Sequence, residues 1–200
     1  MTGTGSADLA ALVASRLCHD LISPLGAIGN GVELIALEGR ATGPELALIT
    51  DAAAQANAQL RFLRVAFGVA TPDQRLGSGE VRQILGDLTA KGRIAIDWAV
   101  QGDRPRAEVR LAFLAVMCLE AAMPRGGGII VDEAGGAWTV TAGGARMRPG
   151  AGPFAWLGEA AGPEAVVPGT VQFALLHRGA AALGRRIVAE VTEAEGRIAF

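Results

Sequence analysis

The sequence predicts an α+β protein, an antiparallel helical hairpin followed by an α/β sandwich. Three observations predict it. Two long stretches carry apolar residues at steps that alternate strictly between three and four, and a short breaker-rich turn joins them. Beyond residue 72 helical and strand patterns alternate at the spacing of a sheet with helices on one face.

The first helix is expected over residues 6–38, with Ala14, Leu17, Leu21, Pro24, Ile28, Gly31 and Ile35 forming one stripe. Gly39-Arg-Ala-Thr-Gly-Pro reads as a turn, with Thr42 three residues ahead of Glu45 as a capping box and Pro44 in the next helix's first turn. The second helix, residues 44–69, carries Leu46, Ile49, Ala53, Ala56, Leu60, Leu63 and Phe67, a coiled-coil type of seam. A lone hairpin leaves such a seam bare. Two copies paired as a four-helix bundle cover it, so a homodimer is expected; cover by the chain's own second half is the alternative.

Thr71-Pro-Asp-Gln-Arg-Leu-Gly-Ser-Gly marks a boundary between a helical domain, residues 1–72, and an α/β domain, residues 73–200. A helix over 80–91 precedes a strand in which Ile94, Ile96, Trp98 and Val100 alternate with small or polar residues. The helix over 107–123 is stopped by Pro124-Arg-Gly-Gly-Gly, and strands over 128–133 and 137–142 form a hairpin about Gly135-Gly136. Residues 143–169 are rich in Gly and Pro and read as loop, with one short helix at 154–159. A helix over 170–183 and strands over 186–191 and 197–200 close the chain.

Composition narrows the chemistry. The 200 residues include two histidines (His19, His177), two cysteines (Cys18, Cys118) and one lysine (Lys91), at a formal net charge of −2. Scattered Cys and His exclude a structural zinc cluster and a disulfide framework. A single Lys followed by Gly-Arg excludes a Walker-type phosphate loop. The near-neutral charge argues against nucleic acid as a partner. No basic and apolar leader opens the sequence and no apolar run reaches about 18 residues, so a cytoplasmic protein with reduced thiols and no membrane span is expected.

At about 100° per residue, Arg16, His19, Ser23, Gly26 and Asn30 project from one side of the first helix, opposite the Leu17–Leu21–Ile28 stripe. His19 is therefore expected on the solvent side of the bundle. An exposed imidazole is largely neutral near pH 7 and its free ring nitrogen attacks phosphorus competently. His19 thus stands between the Arg16 guanidinium and the Ser23 hydroxyl as a candidate catalytic constellation, with Arg16 placed to pair with phosphoryl oxygens and Asp20 to orient the ring or accept its other proton. Pro24 removes the helical hydrogen bond to the Asp20 carbonyl.

The string Leu17-Cys-His-Asp-Leu-Ile-Ser-Pro-Leu-Gly-Ala-Ile resembles the phosphoacceptor box of histidine kinases, through His19, Asp20, Leu21, Pro24, Leu25 and Ile28. The order of helical hairpin, then α/β domain, is also that of the kinases, and the resemblance implies a histidine-kinase ATPase-like sandwich. Three nucleotide contacts of the kinases are missing. Leu119-Glu120-Ala121 stands in place of a magnesium-ligating Asn, Thr141-Ala-Gly-Gly-Ala lacks the adenine-reading Asp, and Pro168-Gly-Thr-Val-Gln-Phe-Ala-Leu keeps one glycine of a nucleotide box. A phosphoacceptor hairpin with a degenerate ATPase-like domain resembles the alphaproteobacterial, ChpT-like histidine phosphotransferases. His19-Asp-Leu-x-Ser-Pro-x-Gly-Ala-Ile-x-Asn30-Gly and Pro124-Arg-Gly-Gly carry that resemblance, which covers essentially the whole chain.

The resemblance implies a homodimeric phosphorelay protein. His19 takes the phosphoryl group from a phospho-aspartate in the receiver domain of a hybrid kinase and passes it to the receiver of a response regulator. No cofactor is expected, magnesium belonging to the receiver. Around His19 the expected docking face comprises Arg16, Ile22, Ser23, Gly26 and Asn30, with Gln59 and Arg61 from the second helix; contact of Ile22 with its own second domain is the competing expectation. The rival functions are a divergent ATP-dependent kinase and a non-catalytic receiver-binding adaptor. His177 and Cys118 are expected to be structural, Asp132-Glu133 and Glu193/Glu195 to be solvated turn charges, and Arg146 and Arg148 to occupy the former nucleotide loop.

Overall fold

The structure, a computed structural model, describes residues 4–38, 43–144, 146–159 and 166–200. Helix α1 (Thr4–Glu38) runs unbroken through Pro24, and α2 (Gly43–Ala66) returns against it. The expected turn residues Gly39 to Thr42, and with them the capping box, lie outside the described residues. Of the expected stripe, Pro24 and Gly31 are buried, Leu17, Leu21, Ile28 and Ile35 are half-buried, and Ala14 is exposed. Helix α2 ends at Ala66 rather than at residue 69, although the Phe67 amide still donates to the Leu63 carbonyl at 2.8 Å.

The second half of the chain builds β1 (Arg75–Gly77), α3 (Ser78–Thr89), β2 (Ile94–Trp98), β3 (Asp103–Pro105), α4 (Arg106–Ala121), β4 (Gly127–Ala134) and β5 (Ala137–Gly143). Then follow α5 (Ala155–Gly158), α6 (Val171–Ala182), β6 (Val188–Val191) and β7 (Glu195–Ala199), with 3-10 turns at Pro149–Ala151 and Pro168–Thr170. Five strands form one sheet in the order β2-β4-β5-β7-β6, parallel only between β2 and β4. That pair needs a crossover, which α4 supplies by lying across one face of the sheet. The sequence reading missed β1 and β3, which pair antiparallel as a separate ribbon from Arg75↔Pro105 to Gly77↔Asp103.

Helix α4 is the centre of the core: every residue from 111 to 119 is buried. Alternation along β4 turns Ile129 and Val131 inward and Ile130 outward, so that sheet and helices share one apolar layer. The hairpin turn Gly135-Gly136 takes φ of 60° and 89°, the left-handed geometry of a tight hairpin. Gly126 and Gly127, after α4, have a stricter reason. A Cβ at Gly126 would lie 2.1 Å from the Arg93 carbonyl, and one at Gly127 would lie 2.4 Å from the Gly143 carbonyl. Backbone must pass that closely to bring β4 beside β2 at Gly126 and beside β5 at Gly127, which explains the Pro124-Arg-Gly-Gly string.

The last turn of α2, from residue 62 to 66, is covered by its own chain. Phe62, Leu63, Val65 and Ala66 are buried where α2 packs on α3 and α4, and the Phe62 ring stacks on Phe113 with centroids 4.8 Å apart. Self-cover thus accounts for the C-terminal part of the seam. It does not account for Leu46 and Leu60, which remain 49% and 52% exposed.

Candidate functional site

A cleft of about 590 Å3 opens between the hairpin and the sandwich. From α1 it is lined by Arg16, His19, Asp20 and Ser23, which share one helix face at spacings of three and four residues. Gln55, Gln59 and Phe62 of α2 form a second wall, and Arg93, Glu120, Met123, Pro124 and Gly126 of the sandwich form the third. His19 was expected on the open outside of the bundle. Its side chain is indeed 85% exposed, but its face of α1 is turned toward the second domain, because α4 docks on α2 beside it.

The polar atoms are organised around Asp20. Its side chain is only 10% exposed, against 85% for His19. One carboxylate oxygen accepts from Arg16 Nε at 2.8 Å, and the other lies 3.3 Å from His19 Nδ1. An ionised carboxylate is acceptor-only, so this contact assigns the proton to Nδ1 and leaves Nε2 with its lone pair. Arg16 also reaches the second domain, with Nη1 3.5 Å from the Gly169 carbonyl in the 3-10 turn before α6.

Glu120 follows the buried run of α4 and is itself exposed to solvent where it lines the cleft. Desolvation by the surrounding protein raises its pKa above the ordinary carboxylate value; the Arg16 charge opposes that and the Asp20 charge adds to it. The sequence reading noticed Glu120 only as the place of an absent Asn. A signal was available: it is the first charged residue after an uninterrupted apolar run from 111 to 119.

The remaining expected residues fall in different places. Gln59 and Ser23 line the cleft, while Ile22, Gly26 and Asn30 are exposed on α1 outside its walls. Ile22 is 68% exposed, so the expectation of contact with its own second domain is not met. A Cβ at Gly26 would meet nothing within 4 Å, and no contact inside the chain requires glycine there. Arg61 does not turn to His19: it is ion-paired with Asp87 of α3, which draws it across the α2–α3 junction.

Outside the cleft, His177 is half-buried in a smaller pocket with Arg185 and Arg186, and burial in α4 pushes the Cys118 thiol well up. One expected turn charge is corrected. Glu133 accepts from Arg104 and from the Gly136 amide, at 2.6 Å, because the tight turn aims that amide back at it. Glu193 is an exposed turn charge, as expected, and pairs with Arg146 at 2.7 Å on the surface. Among the described residues no group of three or more His, Cys, Asp or Glu is placed to hold a metal ion, and no helix is long and apolar enough to cross a membrane.

Comparison with known proteins converges on one family. Residues 78–195 match the family described as the histidine phosphotransferase C-terminal domain. The protein phosphotransferase ChpT of Brucella abortus (strain 2308) is 38% identical over 128 residues; the matched stretch is 62% of this chain and spans 60% of the Brucella protein's length. A solved bacterial phosphotransferase, determined at 1.7 Å, superposes with a TM-score of 0.78 at 30% identity, covering 96% of this chain and 95% of that one.

Proposed function

This chain belongs to the histidine phosphotransferase family, and from that premise we propose that it relays a phosphoryl group between receiver-domain aspartates through His19. One observation carries the reading: the exposed His19 ring directs Nδ1 at the sheltered Asp20 carboxylate, which leaves Nε2 free at the mouth of a cleft.

The chemistry asks little of the protein. The Nε2 lone pair attacks phosphorus in line, the P–O bond to the aspartyl carboxyl breaks, and the donor carboxylate leaves with the electron pair. The phosphorylated ring is then cationic, and its Nδ1–H is shared with Asp20. In the second half-reaction a carboxylate oxygen of the acceptor attacks phosphorus, and the P–N bond electrons return to the ring. The acyl phosphate arrives activated, so this protein supplies a positioned nucleophile and a surface, while magnesium resides with the receiver. The proposed docking face is the exposed flank of α1, with Ile22 as an apolar anchor beside Ser23 and Gly26, and Gln59 across the cleft.

A second copy completes the hairpin in this proposal. Leu46 and Leu60 lie on the α2 seam, and the chain itself leaves them half exposed. The assembly is a cytoplasmic homodimer that receives from a hybrid kinase and gives to response regulators.

Incubation with labelled phospho-receivers tests the function. Wild type is expected to acquire acid-labile label that His19→Ala lacks, while His177→Ala behaves as wild type. Label on His19→Ala, or none on wild type, sinks the proposal. Stable label from ATP alone would favour the kinase reading, and receiver binding without label the adaptor reading.

A further inference from the structure

Glu120 is a carboxylate that the relay chemistry does not call for, and it lines the cleft that also holds His19. Its surroundings can be enumerated from every wall. Helix α1 presents Arg16, His19 and Asp20; α2 presents only the uncharged Gln55 and Gln59; α3 presents Leu88 and Thr89; and the approach to β2 presents Arg93. Glu120 forms no ion pair among the described residues, and Arg16 is engaged by Asp20 at 2.8 Å. The α1 triad and Glu120 thus comprise two carboxylates, one guanidinium and one imidazole. A phosphoryl group on His19 adds anionic oxygens to this set, and their nearest helical cation, Arg16, is the one that Asp20 holds and whose field Glu120 feels.

We propose that Glu120 is a positioning residue that limits how long the phosphoryl group stays on His19: its carboxylate competes with the phosphoryl oxygens for the field of Arg16 and repels them. The proposal deepens the relay reading and rests on it. A relay protein must release what it accepts, and a like charge across a cleft disfavours the loaded state without touching the nucleophile. The Glu120 carboxyl also couples the effect to pH. Desolvation by the protein packed around it is the largest influence and raises its pKa above the ordinary carboxylate value; the Arg16 charge opposes this and the smaller Asp20 effect adds to it, while the side chain keeps contact with solvent. Below that raised pKa Glu120 is neutral and phosphohistidine is favoured; as pH rises through it the carboxylate forms and the loaded state is disfavoured.

Direct phosphorylation with phosphoramidate tests this without a partner. Wild type, Glu120→Gln and Glu120→Lys are brought to steady-state labelling, and phosphohistidine at His19 is read by phosphorus NMR, with His19→Ala as the blank. At neutral pH loading is expected to rise from Glu to Gln to Lys, by roughly three- to tenfold at the first step. The Gln-to-wild-type ratio cancels the pH response of the reagent and of His19. It is expected near one below the Glu120 pKa and to climb as pH rises through it. Equal loading in the three proteins, or a pH-independent ratio, overturns the proposal; the thermal melts of the variants report any loss of fold. Absence of transfer from phospho-receivers with the ratio intact would instead remove the relay reading.

Discussion

At the scale of single residues the site depends on Asp20 serving two neighbours at once. Its two oxygens face Arg16 and His19 Nδ1, so one sheltered carboxylate fixes both the guanidinium and the ring tautomer. Asp20→Asn keeps the shape and loses the charge. A hydrogen bond to a charged group is worth about 1.5–3 kcal/mol, so the variant should accept label from phospho-receivers roughly ten- to hundredfold more slowly in single-turnover assays. A rate within twofold of wild type would deny Asp20 its orienting part. Glu133 offers a pH test elsewhere. The Gly136 amide first, and the Arg104 side chain second, lower its pKa below the ordinary carboxylate value. The contribution of a carboxylate with a depressed folded pKa is fully present above its unfolded pKa and is lost as pH falls through the folded one. Thermal melts should therefore show Glu133→Gln less stable than wild type at neutral pH, with the gap closing in acid. Sequence reading found His19 and Asp20 because adjacent and helical spacings are local. It missed Glu120 and the Arg104 partner of Glu133 because the groups they meet lie on other elements.

At the scale of elements the hairpin was legible because a repeat of three and four needs only one helix to be seen. The Gly135-Gly136 hairpin was legible because the turn residues themselves require left-handed backbone. The ribbon of β1 and β3 was not. Each strand has three residues and runs straight into a helix, and they meet across the whole of α3 and β2. The seam of α2 was legible only in part, since its last turn packs on α3 and α4 while Leu46 and Leu60 stay half exposed. This division makes dimerisation separable from folding. Leu60→Glu removes no contact of the chain's core, yet places a charge at the proposed bundle interface. Sedimentation should show the wild-type dimer falling to monomer in this variant, with the helical circular dichroism of a folded chain. A wild-type monomer, or a dimer unaffected by Leu60→Glu, would require the exposed seam to have another occupant.

At the scale of the whole molecule, the cleft exists only because the hairpin is held against the sandwich, and the hold is chiefly apolar. Phe62, 2% exposed, stacks on Phe113 at an interplanar angle of 12° and also forms part of the cleft wall. Arg16 adds a weaker tie through the Gly169 carbonyl. The charge of Glu120 is felt at His19 only if this docking is tight, because a gap filled by water raises the effective dielectric and screens the pair. Phe62→Leu keeps an apolar side chain but gives up the ring stack, worth about 0.5–1.5 kcal/mol. Such a loss leaves a folded protein with looser docking. The matching control is Phe154→Leu, which removes an edge-to-face contact at 5.0 Å between the residue preceding α5 and Phe173 of α6, outside the cleft walls. Both substitutions should lower the melting temperature by a few degrees. Only Phe62→Leu should also shrink the Glu120→Gln effect on phosphohistidine loading, which would place the coupling in the docking of the two halves. An equal shrinkage in both would assign it to general loosening of the fold, and no shrinkage in either would mean that Glu120 acts on His19 without the packed interface.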